Sequence, residues 1–316
     1  MNLPEILLIL LAALIVLWLA PGVVATILVF CGRQRPEAAL NKYYYLPYRE
    51  EMDRCTACLE RLGPRRVSLT AEDGTPLSAL WFDRGGGRTV LMAHGYKASA
   101  YTNFCISGKA FWDRGYSLLL IDQRAHGQSG GRSSTFGLRE QYDLLRWIDW
   151  VRENTQTGDL VVYGVSMGCA AMAYASDKVG TDRVRAMVLD CGFTSPRDEL
   201  VNVGIRRRVP WQIMLPVIRA CFRLFFGGDI NTPVSRSLAS TQIPAFFLHG
   251  TGDRTVEPES SRKNYGACAS KKVLTLIPGA EHTMAFAAGG EALRVELFSF
   301  LERAIRENSA PDRNDT

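Results

Sequence analysis

The sequence predicts an α/β fold, with a mostly parallel sheet covered by helices on both faces. Three observations carry this expectation. Short apolar runs of strand length recur: Thr89 to Ala93, Tyr116 to Ile121, Leu160 to Tyr163, Val184 to Leu189, Ala245 to Leu248 and Val273 to Ile277. Segments with helical periodicity alternate with them, which is the pattern of a parallel sheet with crossover helices. The residues with chemical potential lie just past the runs, where such sheets carry their sites.

The chain begins differently. From Ile6 to Phe30 no residue is charged, and most are Leu, Ile, Val or Ala. Around 20 apolar residues at about 1.5 Å each cross a bilayer core. Residues 4–30 are therefore expected to be a transmembrane anchor, kinked at Pro21-Gly22. A cleaved signal has a positive start and a shorter apolar core; here Glu5 precedes the run and no Lys or Arg does. Arg33, Arg35, Lys42 and Arg49 all follow it, so the positive-inside tendency puts the rest of this single-pass protein on the cytoplasmic side of the cell membrane.

Residues 31–65 are charged and tyrosine-rich and are expected to be a juxtamembrane connector, with Ala39 to Tyr45 near the headgroups. A globular domain is expected over 66–305. Arg66 to Thr70 and Leu77 to Phe82 form a hairpin about Asp73-Gly74, and Gly85 to Gly87 a loop. Helices are expected over Ser99 to Trp112, Leu138 to Glu153 and Glu291 to Ile305, with a frayed tail over 306–316. Residues 197–240 interrupt the alternation with a basic start and then an apolar, aromatic stretch. They are either two ordinary packed helices or a lid over the site whose inner face meets an apolar substrate beside the membrane.

Composition narrows the function. The chain has 37 basic and 32 acidic residues, net +5, and no nucleic-acid-binding motif, so no nucleic-acid partner is expected. Eight cysteines in a chain of 316 residues do not form a disulfide-stapled miniprotein. Cys55 and Cys58 have half-zinc or redox spacing, but no second pair follows and the four histidines are scattered. That pair is read as incidental.

The candidate site starts at Gly164-Val165-Ser166-Met167-Gly168, after an apolar run and before Cys169-Ala170-Ala171. A serine on a sharp strand-to-helix turn projects its hydroxyl, and small flanking residues at Gly164 and Gly168 permit the turn. Ser166 is the candidate nucleophile. Asp253 lies shortly after a buried run and is the candidate acid; His282 follows the last run and is the candidate base. Glu281 ranks below Asp253. The order Ser, Asp, His suits a triad on a sheet of this kind. Two backbone donors are expected for a developing oxyanion, the N–H groups of Met167 and Tyr96, with Gly95 allowing the close turn. His94 could be a second base or a metal ligand, but no ligand cluster surrounds it, so it is read as holding its loop by hydrogen bonds.

From Arg66 to Ile305 the chain resembles the α/β-hydrolase superfamily. The matching pieces are His94-Gly95-Tyr96, Asp122 to Gly131 (DQRAHGQSGG), Gly164 to Gly168, His249 to Asp253, and His282. Within the superfamily it is similar to bacterial membrane-anchored hydrolases with a small helical lid, and to ABHD-type lipases. The resemblance implies that Asp122 and His126 belong to a structural loop. It also implies hydrolysis of a carboxylic ester, thioester or amide through an acyl-enzyme, without cofactor or metal. The anchor shifts the expected substrate toward a lipid or medium-chain acyl ester and makes the bilayer a partner. Acyl transfer, thioester or amide cleavage on the same triad, and a non-catalytic membrane-tethered binding protein, are the rival readings.

Overall fold

The apolar N-terminal run forms one helix, α1 (Leu3–Phe30), in the computed structural model, which describes residues 2–34, 43–206, 208–209 and 211–309. Asn2 starts it with a capping box: its side chain accepts from the Glu5 N–H, and the Glu5 carboxylate accepts from the Asn2 N–H. Among the described residues α1 alone is long and apolar enough to cross a membrane, with a mean hydropathy of 2.8 over its most apolar window. Its last turns are different in kind: Gly22, Ala25, Thr26 and Phe30 are buried against the rest of the protein.

The expectations for Ala39 to Lys42 lie outside the described residues. Beyond them the segment read as a connector is folded. Tyr43–Tyr48 form a 3₁₀ turn that leads into α2 (Arg49–Arg61). Met52, Cys55 and Leu59, three and four residues apart, give α2 one apolar stripe, and burying that stripe draws the chain onto the domain. Tyr44 and Tyr45 are therefore buried, not at a headgroup layer, and the Tyr45 hydroxyl lies 3.3 Å from that of Thr283.

The remaining elements follow in order. They are β1 (Arg65–Thr70), β2 (Pro76–Phe82), β3 (Arg88–Ala93), α3 (Ala100–Asp113), β4 (Ser117–Asp122), α4 (Glu140–Asn154), β5 (Asp159–Val165) and α5 (Met167–Ala175). Then come β6 (Ala186–Asp190), α6 (Pro196–Arg206), α7 (Trp211–Phe226), α8 (Ser235–Leu238), β7 (Ala245–Gly250), α9 (Pro258–Ala267), β8 (Lys272–Ile277), α10 (Ala285–Ala288) and α11 (Gly290–Ser309). The eight strands form one sheet in the order β1-β2-β4-β3-β5-β6-β7-β8. β2 runs antiparallel to both neighbours, and the strands from β4 to β8 are parallel.

Helices cover both faces. One core layer combines the sheet with α4, α5, α7 and the end of α1; the other combines it with α2, α3 and α11. Central strands such as Ser117–Asp122 and Ala245–Gly250 are buried along their whole length, which is why they read as unbroken apolar runs rather than as alternation. The interrupting segment contains α6, α7 and α8. The buried face of α7 carries Val217, Ile218, Phe222 and Phe226, and part of it packs on the last turns of α1.

Parallel register determines where the site can be. Ala93 pairs with Gly164, Val165 with Asp190, and Gly250 with Ile277. The carboxyl ends of β3, β5, β6, β7 and β8 therefore stand in a row, and the loops that leave them converge.

Candidate active site

Ser166 occupies the junction of β5 and α5 with φ 53° and ψ −110°, a conformation that a non-glycine residue adopts only under constraint. The constraint is visible. The Ser166 N–H donates to the Asp190 carbonyl at 2.8 Å, and Gly168 lets the first turn of α5 press on the end of β3. A Cβ on Gly168 would overlap the carbonyl oxygen of Ala93, and one on Gly164 would come within 2.5 Å of the Gly168 carbonyl oxygen. The two glycines flanking Ser166 are thus needed for close approach, and Ser166 is only 8% exposed.

The loop after β8 delivers His282. Its Nε2 lies 3.1 Å from Ser166 Oγ and its Nδ1 lies 2.6 Å from Asp253 Oδ2. With the proton on Nδ1, the ring donates to Asp253 and accepts from the serine hydroxyl. Asp253 comes from the loop after β7. That loop is tied to the His282 loop by backbone bonds: Thr251 N–H to the Ile277 carbonyl and Gly252 N–H to the Ala280 carbonyl, both 2.9 Å. Ser166, His282 and Asp253, far apart in the chain, so form a continuous Ser-His-Asp relay. Glu281 points elsewhere, with its Oε1 3.9 Å from Arg254.

Asp253 is enclosed by donors. Its Oδ1 accepts from the N–H groups of Thr255 (2.7 Å) and Val256 (2.9 Å). Its Oδ2 receives both His282 and His249, whose Nε2 lies 3.1 Å away. Burial alone would push this carboxyl up; the two imidazoles and their hydrogen bonds outweigh it and hold Asp253 well below the ordinary carboxylate range. His249 is the site residue that sequence reasoning missed. It lies fully buried near the end of β7, where its Nε2 faces two acceptors, Asp253 Oδ2 and the Val256 carbonyl at 3.0 Å, so Nε2 carries the proton and Nδ1 accepts from the Ser261 hydroxyl at 2.6 Å. Its position four residues before Asp253 was the available signal.

The β3 loop lies on the other side of Ser166. Gly95 sits so close that a Cβ there would stand 3.3 Å from the serine Cβ, and its N–H donates to Asn103 Oδ1 at 2.8 Å. Neither the Tyr96 nor the Met167 N–H donates to a partner among the described residues. The Tyr96 hydroxyl donates to the Val29 carbonyl of α1 at 2.6 Å, and its ring packs edge-on against Phe136.

His94 and His126 lie beneath this loop. His94 Nε2 accepts from the Gln123 N–H at 3.1 Å, and the Gln123 side chain donates back to the His94 carbonyl. His126 Nε2 accepts from the Lys97 N–H at 3.0 Å. Burial pushes His94 down to about 4 and His126 down to about 3, so both are neutral acceptors that hold the loop. Asp122 accepts from Arg66 and from the Gln128 N–H, each at 3.0 Å, and pins the turn that follows β4.

Cys191, Asp253 and His282 place donor atoms within 4.8 Å of one another. Burial raises the Cys191 thiol far above its usual value. The other two atoms are already bonded to each other within the relay. All eight cysteines are free thiols, Cys55 buried within α2 and Cys58 partly exposed.

Comparison with known proteins agrees with the geometry. Residues 88–219 match the family described as alpha/beta hydrolase fold. The chain is similar to the uncharacterized protein YfhR of Salmonella typhi, 28% identical over 304 residues, covering 88% of this chain and 93% of that one. It is also similar to the uncharacterized protein YqkD of Bacillus subtilis, 26% identical over 219 residues, covering 68% of this chain and 71% of that one. Among solved structures it resembles the Pyrococcus furiosus esterase Pf2001, with TM-score 0.65 and 25% identity over 77% of this chain and 93% of that one. Sheet order, triad-type geometry and these matches together support a hydrolytic enzyme of the alpha/beta-hydrolase type, with one apolar N-terminal helix.

Proposed function

We propose that this protein is a membrane-anchored serine hydrolase that cleaves carboxylic esters, with lipid or medium-chain acyl esters favoured. The observation that carries the reading is the unbroken relay from Ser166 through His282 to Asp253, with the serine held on a strained strand-to-helix turn. His282 takes the proton of Ser166 as its oxygen attacks the acyl carbonyl. Asp253 stays ionised and orients the imidazole. The N–H groups of Met167 and Tyr96 receive the oxyanion. His282 then protonates the leaving alcohol, and afterwards activates the water that frees the acid.

The likeness to a Pyrococcus furiosus esterase supports the ester class. The bilayer as partner, and an acyl chain as the recognised group, are supported by the exposed apolar length of α1 and by the apolar helix α7 beside it. In this reading residues 4–30 anchor the chain, 66–305 form the hydrolase domain with α6 to α8 as its cover, and the basic residues after α1 keep the domain on the cytoplasmic side.

Labelling by a fluorophosphonate, which reports an activated serine whatever the substrate, tests the mechanism. Membranes carrying the wild type should label strongly, and those carrying Ser166→Ala not at all. Retained turnover of an ester panel by folded Ser166→Ala would overturn the proposal.

A further inference from the structure

The two parts of α1 meet different surroundings. Residues 3–21 are all exposed, whereas from Gly22 onward one face is buried. The burying element is α7, which runs alongside in the same sense. Gly22 lies against Met214 and Val217, and Phe30 lies against Phe222 and Phe226. The uncovered part of α1 measures about 28 Å as a helix, close to the roughly 30 Å of a bilayer core. Adding the covered turns would drive α7 into hydrocarbon with it. α7 is unsuited to that: Arg219 and Arg223 pair with Asp229 at 2.7 and 2.5 Å, only a short way past the level of Gly22. Charged groups are costly at that depth. Trp18, one turn before Gly22 and 48% exposed, belongs to the residue type that gathers at the membrane–water boundary.

We infer that the bilayer surface crosses α1 near Gly22 rather than near Phe30, and that the turn between α6 and α7 rests on anionic lipid headgroups. The inference rests on the anchor reading given above. Since Met214 is level with Gly22, the start of α7 and the turn before it lie at the membrane side of the domain. That turn presents Arg206 and Arg208, both exposed, between the exposed apolar side chains of Ile205 and Ile213. Arg206 gives one bond to the Thr255 carbonyl and its Nη2 lies 4.0 Å from Glu199 Oε1, with the side chain still about one-third exposed, whereas Arg208 is exposed beyond it. Cations flanked by apolar side chains suit a surface of negative headgroups over acyl chains. Tyr96, bonded to the carbonyl of Val29, then stands about 10 Å above the bilayer along the axis of α1. The loop beside Ser166 is thereby held roughly 10 Å from the membrane surface.

Two measurements on the full chain in lipid nanodiscs test this. The first is quenching of Trp18 fluorescence, taken as the difference between wild type and Trp18→Phe, by phosphatidylcholine brominated either near the headgroup or near the chain end. A crossing at Gly22 puts Trp18 shallow, so headgroup-side bromine should quench it several-fold more. Stronger quenching by chain-end bromine would place Trp18 at mid-bilayer, with the span running to Phe30, and would overturn the inference while leaving the anchor intact. No quenching by either lipid would instead overturn the anchor reading itself. The second is the rate of trypsin cleavage after Arg208, expected to be several-fold slower in discs containing phosphatidylglycerol than in phosphatidylcholine alone. Equal rates would overturn the headgroup contact.

Discussion

Asp253 and Asp190 stand at the ends of two neighbouring, hydrogen-bonded strands, both out of contact with solvent, yet their electrostatics are opposite. Asp253 meets two imidazoles and two backbone N–H groups and is held as a carboxylate. Asp190 has the Tyr163 hydroxyl at 2.9 Å on one oxygen, and its other oxygen is without a hydrogen-bond partner. Burial pushes Asp190 up to about 6, and the tyrosine bond and the more distant His249 and His282 only partly offset it. The difference teaches that strand-end position does not make an aspartate the acid of a triad. What matters is whether the fold supplies enough donors to keep it charged once it is buried.

The largest break in this comparison should come from Asp253→Asn. It keeps the shape and removes the charge that selects the His282 tautomer, so kcat should fall by roughly 10⁴-fold. A fall of tenfold or less, in protein whose fold is checked by circular dichroism, would mean that Asp253 does not orient His282.

His249 is predicted to come next. Replacing it with Leu strips one donor from a buried carboxylate, and hydrogen bonds to charged groups contribute about 1.5–3 kcal/mol, so kcat should drop roughly 10- to 100-fold. His249→Gln, which can return an N–H toward Asp253, should recover part of that loss. Equal activity of the Leu and Gln variants would show that packing alone explains the position.

The smallest effect on turnover is expected from Asp190→Asn, and it sharpens the contrast through pH. A carboxyl raised to about 6 in the folded protein binds its proton more tightly there than in the unfolded chain. Stability therefore falls as pH climbs from about 4 to about 6, by up to about 3 kcal/mol. Asp253 has the opposite sign: its contribution is present above the ordinary carboxylate range and is lost as pH falls below it. Thermal unfolding measured across this window should show a flatter decline for Asp190→Asn than for the wild type. Identical profiles would remove the electrostatic distinction between the two residues.

Much of the architecture was legible because its determinants are local. The β-hairpin about Asp73-Gly74 follows from a turn signal, with Gly74 at φ 81°. The helices Ala100–Asp113 and Glu140–Asn154 follow from periodicity and lie within one or two residues of the expected bounds. Ser166 was legible because glycines on both sides of a serine, between a strand and a small-residue helix, imply a tight turn. Residues 43–61 were harder to read. Their charge suggested a connector, but the stripe Met52, Cys55, Leu59 is narrow, and only a surface shaped to accept it makes α2 part of the domain.

The sequence by itself determined the periodicities: which stretches are strands, that their ends carry a serine, an aspartate and a histidine in that order, and that the first helix is apolar throughout. Those are properties of neighbours in the chain, set by side-chain volume, turn chemistry and hydropathy. The tertiary structure decided everything that depends on distance across the fold. It brought Asp253 Oδ2 and Ser166 Oγ to either side of one imidazole, recruited His249 to the same carboxylate, left Asp190 short of donors, and ran α7 along the last turns of α1. The physical reason is that a buried charge is governed by the donors packed around it. Those donors arrive from segments that only the sheet register brings together.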